Sequence, residues 1–116
     1  MLANMDCNED VLTRVRKALV NTPNVKEKKM FGGITFMVND KMCISVSNHR
    51  IMCRIDPMIH EEVTGKKGCQ AVKMREREYK GYVYVSEDGI KTREDLDYWL
   101  GLALDFNKKV RTPRKK

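Results

Sequence analysis

Thiols, imidazoles and glycine-flanked turns are the side chains that could do chemistry in this 116-residue chain, and their spacing gives them little to do. Cys7, Cys43, Cys53 and Cys69 contain no CxxC pair and have no histidine at ligand spacing, which argues against a zinc centre. Reduced thiols of a cytosolic protein are the expected state. A nucleophilic thiol also needs a cationic neighbour to stabilise its thiolate, and the sequence places none beside Cys43 or Cys69. His49 falls in a turn. His60 falls on a short helix beside Glu61 and Glu62, which point in different directions, so it reads as an exposed helical histidine. Phe31, Gly32 and Gly33 lack the GxGxxG spacing of a phosphate loop and precede a strand, so the glycines predict a bulge or a close backbone approach. Glu76 and Glu78 alternate with charges of the opposite sign and read as a solvated edge. With no GxSxG and no HExxH, the inventory predicts no catalytic, cofactor-binding or metal-binding residue, no small-molecule substrate and no enzyme.

The formal net charge of +7 raises the question of nucleic acid, and the distribution of charge matters more than its size. Lys108, Lys109, Arg111, Arg114, Lys115 and Lys116 hold six of the 23 basic residues; the other 17 face 16 acidic ones. The body is therefore nearly neutral. The excess lies in a tail that reads as a solvated, flexible end, with non-specific attraction to phosphates as the second reading of these six residues. No apolar run approaches the ~20 residues of a membrane span, and the polar, acidic MLANMDCNED start is unlike a secretory signal, so a cytoplasmic protein is expected.

These residues are positioned by a sheet. From Lys28 to Ile55 the pattern predicts three short strands, with Ile34, Phe36, Val38, Met42, Ile44, Val46, Ile51, Cys53 and Ile55 on one apolar face. A turn at Asn48 and His49 sets Val46 opposite Ile51 and Ile44 opposite Cys53. A three-residue loop, Asn39 to Lys41, sets Val38 opposite Met42 and Phe36 opposite Ile44; a two-residue loop would slip the apolar set to the other face. The opposite face then carries Thr35, Met37, Cys43, Ser45, Ser47, Arg50, Met52 and Arg54. Met37, Cys43, Met52 and Arg54 are its candidate partner contacts, and Cys43 and Cys53 lie on opposite sides.

Around the meander, Asn8 is expected to cap a helix from Glu9 to Val20 with a stripe of Val11, Leu12, Val15, Ala18 and Leu19, and Val25 to Lys29 to lead into the first strand. Asp56 and Pro57 predict a short helix over Met58 to Thr64, stopped by Gly65. A fourth strand over Gln70 to Arg75 and a fifth over Gly81 to Ser86 follow, with Tyr82 and Tyr84 in core or cross-strand packing. Thr92 caps a last helix with Leu96, Trp99, Leu100, Ala103 and Leu104 facing inward and Phe106 off the stripe, a candidate subunit contact. The class is two-layer α+β: about five antiparallel strands in α-β3-α-β2-α order with helices on one face. The expected organisation is a flexible 1–8, one domain over 9–109 and a basic flexible tail over 110–116.

The run KKMFGGITFMVNDKMCISV, the later KGYVYV, and the acidic turn, glycine and Trp99 helix after it together resemble the N-terminal domain of the TfoX (Sxy) family over about Glu9 to Lys109. The resemblance implies the same two-layer fold and no catalysis. Relatives with a second, helical domain are bacterial regulators of natural competence that promote expression of DNA-uptake genes. For a first domain alone, the resemblance implies a protein-contact role, with a protein partner or a second copy in a homodimer.

Overall fold

In the computed structural model, residues 9–30, 32–48, 50–74 and 77–110 are described. The expected capping residue Asn8, with Cys7, Phe31, His49, Arg75, Glu76 and the tail positions Arg111, Arg114, Lys115 and Lys116, lies outside them. Helix α1 (Glu9–Ala18) is followed by strands β1 (Val25–Met30), β2 (Gly33–Val38), β3 (Lys41–Val46) and β4 (Arg50–Arg54), then a 3₁₀ turn (Pro57–Ile59) running into α2 (His60–Val63). Strands β5 (Cys69–Met74) and β6 (Arg77–Ser86), a second 3₁₀ turn (Glu87–Ile90) and α3 (Arg93–Lys109) complete the chain. One antiparallel sheet runs β1-β2-β3-β4-β6-β5, with the helices against one face.

The α+β class is as expected, with one strand more, and β6 begins at Arg77, ahead of the expected Gly81. Residues 25–30, which read from sequence as a lead-in, form a full edge strand opposite β2, from Val25↔Val38 to Met30↔Gly33. Its Lys-Glu-Lys-Lys run lacks an apolar period and so leaves no strand signal, but charge is what an edge strand needs to discourage pairing with other chains. On the inner side, Glu27 accepts two hydrogen bonds from Arg16 of α1, at 2.8 and 2.7 Å, tying the edge to the helix layer. That guanidinium holds the Glu27 carboxyl below its ordinary range. A depressed carboxylate stabilises above its unfolded pKa, so this half-exposed pair contributes at neutral pH and is lost as acid protonates Glu27.

The central register is partly as read and partly corrected. Phe36↔Ile44, Ile44↔Cys53 and Val46↔Ile51 are all present. The β2–β3 loop, however, is the two-residue turn Asn39-Asp40, with φ of 55° and 65°, and Val38 pairs with Lys41 instead of Met42. Both residues tolerate the positive φ that such hairpin turns require. The extra residue is absorbed by a bulge opposite Phe36 and Met37, so Met37 pairs with Met42 while Phe36 still pairs with Ile44. The expected slip is thus confined to three residues. Met42 moves to the outer face, Lys41 turns inward, and Cys43 is fully buried within the same core cluster as Cys53. The expectation that Cys43 and Cys53 occupy opposite sides is thereby corrected.

The inward Lys41 closes the helix layer. It is 8% exposed, and its Nζ donates to the carbonyls of Asn107 at 2.7 Å and Val110 at 2.6 Å, at the end of α3. A cation there satisfies carbonyls that the helix leaves without partners and opposes the negative end of its dipole. Asn107, also buried, donates from Nδ2 to the Val38 carbonyl at 3.1 Å. At its other end, α3 begins on the expected Thr92 cap, which makes a capping box with Asp95. Leu96, Trp99, Leu100 and Ala103 are buried as read; Leu104 is half-buried and Asn107 takes the next inward position. In α1, Val11, Leu12 and Val15 are buried, as is Leu19 just beyond its end, whereas Ala18 is exposed.

Gly33 meets the expectation of a close backbone approach: a Cβ there would sit 2.0 Å from the Val46 carbonyl oxygen. By contrast, Gly101 lies within α3, and a Cβ added to it would meet nothing within 4 Å. Gly33→Ala should therefore destabilise by about 3 kcal/mol or more, while Gly101→Ala should stabilise by about 1 kcal/mol. Lys41→Met should cost about 3 kcal/mol by stranding two carbonyls. Urea unfolding of the three variants checks the sign and the order.

Candidate functional site: the helix-free face of the sheet

Alternation along the strands divides the side chains between a helix-covered face and an open one. Phe36, Val38, Ile44, Val46, Ile51, Cys53, Val83 and Val85 pack with α1 and α3 in the core. On the open face, paired residues form a continuous row across all six strands: Lys28, Thr35, Ser45, Met52, Tyr84 and Gln70. Next to it, all displaced to the same side of the row, lie Lys26, Met37 and Met42 and, across β4 and β6, Arg54 with Tyr82, while Arg50 lies on the other side of the row opposite Ser86. Tyr82 and Tyr84 are thus cross-strand partners of β4, half-buried, while Val83 and Val85 are fully buried.

The middle of this face is polar but closed. Thr35 Oγ1 donates to Ser45 Oγ at 2.9 Å, and both side chains are buried, with no helix above them among the described residues. On the same face Met52 is 7% exposed and Met37 and Met42 are half-buried. Around them the charged groups are cationic. The Arg50 guanidinium lies 3.4 Å from the centroid of the Tyr84 ring, and that of Arg54 lies 5.7 Å from both the Tyr82 and the Phe106 rings.

Of the four residues expected on this face, Met37, Met52 and Arg54 are there. Cys43 is not: the bulge buries it, and Met42 stands on the face in its place. Sequence alone could not reveal this exchange, because it depends on a turn shorter than the apolar pattern implies. Phe106, expected to face another subunit, is half-buried and packs against Arg54. Lys108 and Lys109 end α3, where Lys109 approaches Asp56 at 3.6 Å, so these two tail cations belong to the fold.

His60 is a further correction, being fully buried instead of exposed. Its Nδ1 accepts the Gly81 backbone N–H at 3.0 Å, so Nε2 carries the proton and donates to Glu78 Oε2 at 2.7 Å. Gly81 has φ of +92°, which turns β6 so that this N–H meets the ring. The histidine fastens α2 to β6. Burial pushes the Cys43 thiol up to about 12, that of Cys69 to about 11, and that of Cys53 well above the ordinary range. Such thiols are protonated and unreactive at neutral pH. Among the described residues, no three His, Cys, Asp or Glu side chains gather as a metal site, and no helix is long and apolar enough to cross a membrane.

What the molecule presents, then, is an α+β fold in which the described helices cover one face of a six-stranded antiparallel sheet. The chain belongs to the TfoX N-terminal domain family, whose model matches residues 17–107, most of its length. Compared with curated proteins, it has no match.

Burial sets the expected behaviour of the thiols and of His60. At pH 8 the native protein should leave Cys43, Cys53 and Cys69 unmodified by a thiol reagent that labels all three in urea. His60→Ala should lower stability by about 3 kcal/mol through a cavity and two lost hydrogen bonds, whereas Glu78→Gln at the exposed end of the pair should cost less than about 1 kcal/mol.

Proposed function

We propose that this chain is a non-enzymatic regulatory module that acts by protein contact through the open face of its sheet, in bacterial control of competence and DNA-uptake genes from the cytoplasm. Membership of the TfoX N-terminal domain family supports the regulatory setting. The observation that carries the contact role is the helix-free row around Met52, where Met37, Met42, Tyr82 and Tyr84 surround a closed polar centre. Methionine and tyrosine side chains with arginine beside them are the composition of a contact surface. Methionine adds adaptability, since its unbranched chain repacks against differently shaped partners.

Met37→Glu with Met42→Glu tests the reading, because both side chains are already half-exposed and a folded variant is expected. Proteins retained from a lysate of competent bacteria by the wild-type chain should be lost with the double variant at unchanged Tm. Equal retention by both would refute the contact role of this face. Light scattering on the same pair assigns the contact: a dimer that the variant dissolves would make the partner a second copy.

A further inference from the structure

The charge on the open face narrows the kind of partner it takes. Over the part of this face that β1 to β4 span, Lys26, Lys28, Arg50 and Arg54 are the charged strand residues among those described, and no strand carboxylate stands with them. Asp40, on the β2–β3 turn, reaches Lys26 only at 4.0 Å. Acidic strand residues are directed elsewhere: Glu27 is held on the helix side by Arg16, and Glu78 is held by His60. Near-neutrality of the body thus conceals a face of one sign.

We infer that the open face binds an acidic polypeptide segment with apolar side chains, its carboxylates meeting Lys28, Arg50 and Arg54 and its apolar groups seated among Met37, Met42 and Met52. This rests on the contact role proposed above. A second copy of this chain is disfavoured on the same face, because a two-fold contact would set this cationic patch against an identical one, and like charges across an interface are repulsive. Single-stranded nucleic acid is disfavoured for a different reason. It needs free aromatic faces on which bases stack, and here the Arg50 guanidinium already covers Tyr84 at 3.4 Å. Arginine held on a ring is a pre-positioned donor for a bidentate contact with a carboxylate.

The test uses the full chain, isotopically labelled, and three probes: a 16-residue peptide of alternating glutamate and leucine, the same peptide with lysine for glutamate, and a twenty-nucleotide oligothymidylate. The acidic peptide should shift the resonances of Met37, Met42, Met52 and Tyr84, and raising salt from about 50 to about 300 mM should weaken it at least about fivefold. Arg50→Glu with Arg54→Glu should weaken it at least about tenfold. Should that pair fail to fold, Lys28→Glu on the exposed edge strand should move affinity in the same direction. The lysine peptide should not bind. Absence of shifts with millimolar acidic peptide, tighter binding of the oligothymidylate to the same residues, or a dimer closed through this face would each overturn the inference. Loss of captured proteins in the Met37→Glu, Met42→Glu variant alongside any of these results would leave the contact role standing and remove only the acidic class.

Discussion

One residue too many between Val38 and Ile44 governs how this molecule is put together. The Asn39-Asp40 turn fixes Val38 against Lys41, while the apolar pattern fixes Phe36 against Ile44, and the two demands differ by a single position. A slip of the whole hairpin would turn every core side chain outward. The bulge resolves the conflict locally, and each of the three residues it reorients acquires a distinct place: Lys41 at the end of α3, Met42 on the open face and Cys43 in the core. The irregularity thus connects the two layers, since the cation that seats α3 is inward only because the strand is bulged.

The same constraint explains why the helices cover one side alone. With Lys41 and Asn107 joining α3 to the β2–β3 turn, and Arg16 joining α1 to β1, the helical layer is fastened at the margins of the sheet as well as through its core. The other side carries no helix among the described residues. Thr35 and Ser45 share a hydrogen bond, which gives each buried hydroxyl a partner in this polar centre.

Much of this is legible in the residues. Period-two alternation locates the central strands and their pairing, the Thr92 cap and the apolar stripe locate α3, and Asp56-Pro57 locates the turn into α2, where the Asp56 carboxylate accepts the Met58 N–H. What escapes has no local signature. Strand β1 is charged along most of its length and takes its structure from pairing with β2. His60 is buried by a turn of β6 at Gly81, twenty-one residues away, and nothing in its own helix foretells that. Cys43 falls on the wrong face in a reading by periodicity, because periodicity assumes an uninterrupted pleat. The contact face is legible in Met37, Met52 and Arg54 and illegible in Met42 for this one reason.

The strand order carries a kinetic consequence. Each neighbouring pair in the sheet is joined by a short connection except β4 and β6, where Arg50 lies against Ser86. Strands β1 to β4 can therefore assemble as one unit and β5 with β6 as another, each from contacts close in sequence, which are quick to form. The seam between β4 and β6 is where these halves recognise each other, and α3 settles across β3 and β4, within the first of those halves.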